Sequence, residues 1–172
     1  MINLRHGKGN ALTFVANVLE GKLYRSPMPQ GRYDLVDRVY LAWKDVGIDV
    51  IVSLTSEDEF IEKSGVNQFE VMNQMGFEII NFPIIDRSIA DYKAMNNLIS
   101  TITEYLTQGM NIVVHCSAGI GRTGTVLACI LGQLMGLSPS DAISFLKQLI
   151  PPIGPENDEQ IEFVNTYINS SV

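Results

Sequence analysis

The stretch Val114-His115-Cys116-Ser117-Ala118-Gly119-Ile120-Gly121-Arg122-Thr123-Gly124 constrains this chain more than any other. Five residues lie between Cys116 and Arg122, and four of them, Ser117, Ala118, Gly119 and Gly121, are small. The apolar run Ile112-Val113-Val114 in front reads as a buried strand, and Thr125 to Leu131 behind opens an apolar helix. A strand, a tight glycine-bearing loop and a helix N-terminus together build an anion cradle. Successive backbone N–H groups point into the loop, and the positive end of the helix dipole lies beneath it. That field favours the ionised form of a cysteine, and an arginine closes the ring with two parallel donors for two oxygens of an anion.

Around this loop the chain alternates strand and helix. Leu12 to Val15 and Val18-Leu19 read as short strands around a turn, and Gly21 to Arg25 as a strand stopped by Ser26-Pro27-Met28-Pro29. Leu35, Val39, Trp43 and Val46 follow helical spacing between Asp34 and Gly47. Val50 to Leu54 is a β-branched, buried strand, Phe69 to Met75 a short helix with Met72 and Met75 as packing, and Glu78 to Phe82 a strand. Asp91 to Leu106 is a helix with Met95, Leu98, Ile99, Ile102 and Leu106 on one face, and Thr123 to Met135 a helix apolar nearly all round. Ser138 caps a further helix with Pro139 first and Asp141 third, and the last helix starts near Asn157 or Asp158 with Ile161, Val164 and Ile168 inward. The expected fold is α/β: one domain over residues 1–172, with a central, mostly parallel, twisted sheet of four to five strands and helices on both faces. In such a sheet a ligand sits at the carboxyl ends of the strands, where His115 and Cys116 fall.

Composition narrows the function. The chain has 172 residues, a net charge of −7 and a sequence pI near 4.7, which disfavours nucleic acid, and no polybasic stretch offers itself to anionic lipid. An anion site on such a chain is local, made by a loop, a helix end and an arginine. Two cysteines, Cys116 and Cys129, are too few for a disulfide framework. Thiol chemistry needs a reducing compartment, and neither a signal-peptide pattern nor an apolar run of membrane-spanning length is present, so the expected location is the cytoplasm. No metal-ligand spacing occurs, and neither a metal nor another cofactor is expected.

The loop resembles the signature of the protein tyrosine phosphatase superfamily, H-C-x5-R-[ST], matched here by His115, Cys116, Gly119, Gly121, Arg122, Thr123 and Gly124. The resemblance implies hydrolysis of a phosphomonoester through a cysteinyl-phosphate. Cys116 would be the nucleophile; Arg122 and the amides of Ser117, Ala118, Gly119, Ile120 and Gly121 would hold the phosphate. Thr123 would donate its hydroxyl to the departing sulfur or cap the helix. His115 would orient the loop rather than act as a base, since an ionised thiol needs none. The proton for the leaving group must come from a carboxylic acid on another loop. Asp86, in Phe82-Pro83-Ile84-Ile85-Asp86, leaves a strand at the right end of the sheet, and compact members of the superfamily carry a Pro-x-x-Asp acid loop at about this remove. Asp91 is the alternative acid, though it reads better as an early helix residue.

Arg87 is either a phosphate-steering or a solvated loop residue. Cys129 reads as core, Trp43 as packing and His6 as surface. Gln160 begins a stretch similar to the family's water-holding Gln-x-x-Phe, with Glu156 where tyrosine-specific members carry a second glutamine, so a packing role stands beside the catalytic one. The length and the acid loop resemble the compact dual-specificity phosphatases, the subgroup that includes the cyclin-dependent-kinase-associated phosphatase. The implied substrate is a phosphorylated protein or peptide, met by a monomer without nucleic acid or membrane. Neutral Ser117 and Ile120 argue against a phosphoinositide. The alternatives are a phosphoprotein-binding module without chemistry and a phosphatase of a non-protein phosphomonoester.

Overall fold

In the computed structural model, which describes residues 11–170, the alternating pattern becomes twelve elements: β1 (Thr13–Val18), β2 (Gly21–Ser26), α1 (Val39–Asp45), β3 (Val50–Ser53), α2 (Glu57–Ser64), α3 (Gln68–Gln74), β4 (Glu78–Asn81), α4 (Tyr92–Thr107), β5 (Asn111–His115), α5 (Gly121–Met135), α6 (Pro139–Leu149) and α7 (Asp158–Ser170). The strands form one sheet in the order β1-β2-β5-β3-β4, with β1 antiparallel to β2 and every other pairing parallel. The continuous apolar runs of β3 and β5 occupy the interior of the sheet, where both faces are covered. Alternate residues serve opposite faces. Tyr24, Ile51 and Val113 pack with Val39, Trp43, Phe60 and Met72 from α1, α2 and α3. Leu23, Val50, Val52, Ile112 and Val114 pack against α4 through α7. The expected fold holds, with five strands and helices on both faces.

Register positions the site. Ser26 and Ser53 both pair with His115, and Asn81 pairs with Ser53, so β2, β3, β4 and β5 end level with one another. The loops after them therefore emerge together at the carboxyl edge. α5 then runs back behind the sheet, buried from Gly121 to Gly132, as its all-round apolar sequence requires. Both cysteines are free; Cys129 lies in this buried helix, where burial pushes its thiol pKa up, and it is a core residue.

Several boundaries differ from the sequence reading. β1 is one strand that turns at Leu19, which takes φ 54°, so Val18 belongs to it and the turn falls three residues later than the pattern suggested. Helix α1 begins at Val39 rather than Asp34. The Asp34 carboxylate accepts from Gln30, Arg38 and Val39 N–H groups, and this competition by a side chain holds the preceding residues in turns. Leu35, 73% exposed, is consequently off the core, and Val46, which caps the carboxyl end of α1, is exposed as well. Helix α2 was not anticipated, because Phe60 is its only buried residue. In α7 the inward face is Gln160, Phe163, Val164, Tyr167 and Ile168; Ile161 sits about 100° round the helix from Gln160 and is exposed. Met72 is buried as expected and Met75 half-buried. His6 lies outside the described residues. Among the described residues no helix is long and apolar enough to cross a membrane.

Candidate active site

Cys116 is the first residue after β5, and Gly121 is the first of α5, so the loop between them is the short turn from sheet to helix. Its backbone is tightly held. Gly119 has φ +67°, and a Cβ there would lie 2.1 Å from the Ser26 carbonyl oxygen, so only glycine fits. A Cβ on Gly124 would lie 2.3 Å from the backbone nitrogen of Gly154, which itself donates to Ile120 O at 3.3 Å. None of the amides of Ser117, Ala118, Gly119 or Ile120 donates a hydrogen bond to the described protein, while their carbonyls are engaged elsewhere. They are oriented donors left over for an anion.

Cys116, Ser117, Ala118, Gly121, Arg122, Asp86 and Arg87 line a single cavity of about 220 Å³, closed by Tyr33, Lys63 and Glu156. Two residues of the predicted cradle, Gly119 and Ile120, are not among those lining it, and neither is Thr123, the predicted donor to the sulfur. The Arg122 side chain is 1% exposed. It forms a fork with Glu59, Nη1 to Oε2 at 2.8 Å and Nη2 to Oε1 at 2.7 Å. Nη1 also donates to Ile84 O at 2.8 Å. Nη2 stands 3.3 Å from Asp86 Oδ1, while Nε is buried with no partner. Burial works against the guanidinium charge, but Glu59, Cys116 and Asp86 outweigh it and leave the Arg122 pKa raised. Burial likewise pushes Glu59 upward, yet Arg122 and Lys63 bring its carboxyl below the ordinary value. The arrangement is an arginine anchored on one side by a carboxylate and a carbonyl, with a donor remaining on the other.

His115 is fully buried between the rings of Trp43 and Phe60, and its Nδ1 lies 3.2 Å from Cys116 O. Burial lowers its pKa to about 4, so it is neutral at physiological pH and suits the loop-orienting role. Thr123 differs from expectation: it is the third residue of α5, not its cap, and its Oγ1 is buried with no hydrogen-bond partner, Cys116 included. Gln160 is not in the cavity. Its Oε1 accepts from Glu156 N at 2.7 Å and its Nε2 donates to Ser88 O at 3.2 Å, so both ends of the amide are committed to backbone. Asp91 caps α4 by accepting from Ala94 N at 3.0 Å and is not among the residues lining the cavity. Asp86 is the carboxyl group at the mouth, its side chain 63% exposed. Arg87 faces the same cavity from a left-handed backbone, φ 65°.

Two functional residues escaped the sequence reading. Glu59 had a local sign, since Ser56-x-x-Glu59 is a helix-capping signature and Ser56 does accept from Glu59 N. Arg25, buried at the end of β2, donates to the carbonyls of Ala118 and Gly119, and nothing in its neighbourhood in the sequence announces that.

Residues 29–133 match the family model described as polymorphic toxin system, DSP-PTPase phosphatase. The tyrosine-protein phosphatase cdc-14 of Caenorhabditis elegans is 34% identical over 89 residues, 51% of this chain and 12% of that protein. The human cyclin-dependent kinase inhibitor 3 is 28% identical over 107 residues, 62% of this chain and 50% of that one. The chain thus spans half or less of the length of these curated relatives. The solved kinase associated phosphatase, with serine in place of its catalytic-site cysteine, superposes with a TM-score of 0.83 at 20% identity over 93% of this chain and 94% of that chain. Tk-PTP in its active form gives 0.76 at 23% identity over 94% and 98%. At those identities the likeness is one of fold.

Proposed function

The chain belongs to the DSP-PTPase phosphatase family of polymorphic toxin systems, and from that premise we propose that it hydrolyses phosphoprotein monoesters, phosphotyrosine foremost, through a cysteinyl-phosphate. One observation carries this reading: the buried Arg122 keeps an unpaired Nε in the wall of a cavity floored by Cys116 and oriented loop amides, with Asp86 at its mouth. A binding module has use for the cradle but none for the sulfur or the acid.

In the first step the Cys116 thiolate attacks phosphorus. The S–P bond forms, the ester P–O bond breaks, and Asp86 gives its proton to the departing oxygen. The equatorial oxygens are met by the amides of Ser117 through Gly121 and by Arg122, whose charge stabilisation is the largest contribution. In the second step water attacks phosphorus, the Asp86 carboxylate takes its proton, the S–P bond breaks, and phosphate leaves a regenerated thiolate. The unpaired Thr123 hydroxyl is the donor assigned to that departing sulfur. Gln160 is given no part in holding the water, since its amide fastens the Ser88 and Glu156 backbones instead. Free thiolate chemistry suits a reducing compartment, and the cytoplasm and a monomeric state remain part of this reading.

The test is turnover of p-nitrophenyl phosphate and of a phosphotyrosine peptide by the parent and by Cys116→Ser. The variant should lose turnover while still binding inorganic phosphate, because sulfur supplies the chemistry and the amides supply the affinity. Residual activity within tenfold of the parent's would sink the thiol mechanism.

A further inference from the structure

The geometry points to Arg25 as a positioning residue that aims the amides of Gly119 and Ile120 at the phosphate. Arg25 is the penultimate residue of β2 and lies outside the stretch that the family model matches, 29–133. Its side chain is buried, 3% exposed, beneath the loop. Nη2 donates to Ala118 O at 2.8 Å and Nε to Gly119 O at 2.9 Å. Three residues further along, Met28 N donates to Ser117 O at 3.0 Å. Three consecutive loop carbonyls are therefore drawn to one side by a single short segment.

Peptide planarity turns this into function. In a trans peptide the carbonyl of one residue and the N–H of the next point in opposite directions. Holding Ser117 O fixes the Ala118 N–H; holding Ala118 O and Gly119 O fixes those of Gly119 and Ile120. All three N–H groups are then turned away from β2, and none of them has a protein acceptor. The division of labour is specific: the backbone at Met28 sets one amide, and the Arg25 fork sets the next two. Gly119 makes the grip possible, since a Cβ there would stand 2.6 Å from Arg25 Nη2. Burial lowers the Arg25 pKa to about 10, with the Cys116 charge acting to raise it, so the fork is charged at neutral pH. A lysine in its place presents one compact ammonium and cannot span two carbonyls with the same rigidity.

The inference rests on the cradle binding phosphate, as proposed above, and its test reads binding rather than turnover. Inorganic phosphate is titrated into the parent, Arg25→Met and Arg25→Lys, following backbone 1H–15N shifts and the inhibition constant against p-nitrophenyl phosphate. In the parent the amides of Ala118, Gly119 and Ile120 should shift together. In Arg25→Met the Gly119 and Ile120 responses should vanish while that of Ala118, held by Met28, persists, and phosphate inhibition should weaken roughly tenfold or more. Arg25→Lys should recover only part of both effects. A folded Arg25→Met variant that keeps the parent's Gly119 and Ile120 shifts overturns the assignment. Should that variant lack a cooperative melt, Arg25→Lys is judged by the same shifts, and full parental response overturns the assignment. A parent whose loop amides ignore phosphate overturns it as well, whereas a parent that binds phosphate without turnover defeats only the phosphatase reading.

Discussion

Glu59→Gln is the perturbation that most directly tests how Arg122, the arginine proposed to bind phosphate, is held. Two charge-assisted hydrogen bonds of 2.7 and 2.8 Å join Glu59 to Arg122, whose side chain is 1% exposed against 15% for Glu59. Removing one partner of a fully buried pair costs about 3–5 kcal/mol, because the other charge is left desolvated. Three features reduce that figure here. Glu59 keeps some contact with water, glutamine retains one acceptor oxygen, and Arg122 still donates to Ile84 O. The expected loss of stability is therefore about 2 kcal/mol, chiefly from turning one amide N–H₂ toward the guanidinium.

Activity should suffer more than stability, since a displacement of a catalytic donor by about 1 Å can cost roughly a hundredfold. Urea unfolding at neutral pH gives the first quantity, and kcat/KM for p-nitrophenyl phosphate gives the second. Lys63→Met is the control. It removes the exposed 2.7 Å ion pair to the same carboxylate, and such a helical pair is worth about 0.5 kcal/mol or less. A Glu59→Gln protein within about 0.5 kcal/mol of the parent and within threefold in kcat/KM would refute the reasoning. Arg122 would then be set by its carbonyl contacts alone.

Asp86→Asn should lower kcat by about a hundredfold on phosphotyrosine and by less on p-nitrophenyl phosphate, whose better leaving group needs little protonation; equal losses on both would remove Asp86 as the acid. Stability should fall as pH drops from about 6.5 toward 4, by roughly 3 kcal/mol, because His115 stays neutral in the fold to about 4 while the unfolded chain already binds the proton. Urea midpoints across that window check it, and His115→Asn should flatten the slope; an unchanged slope assigns the titration to another group.

What was legible in the sequence is what the sequence holds locally. The strand-loop-helix around Cys116, the Ser138 cap and the α4 core face each announce themselves within a few residues. Asp86 was legible because it follows a strand, and strand ends meet at one edge of a parallel sheet. Arg25 and Glu59 were not, since they reach the loop across 94 and 63 residues of chain. Their partners are backbone carbonyls and an arginine, which leave no periodicity to read. Leu35 misled for the opposite reason: its spacing is helical, but the Asp34 carboxylate captures the amides of Arg38 and Val39 and the helix starts after it.

Gln160 shows how a familiar local pattern can serve a different mechanical end. Its amide and that of Asn157 fasten the segment that carries Asp86. Asn157 Nδ2 donates to Arg87 O at 2.7 Å and Gln160 Nε2 to Ser88 O. At the other end of the segment, Ile84 N donates to Leu54 O at 3.1 Å and Ile84 O accepts from Arg122. The backbone that presents the proposed acid is thus tied to α7, to the exit of β3 and to Arg122. The Asp86 side chain itself is left in solvent, as are those of Ile85 and Arg87 beside it. The left-handed backbone at Arg87 is the strain that such fastening sustains, held in place by the bond its own carbonyl accepts. Preorganisation in this site therefore lies in the backbone on both sides of the cavity, with Arg25 and Met28 gripping the thiol loop and α7 gripping the acid loop.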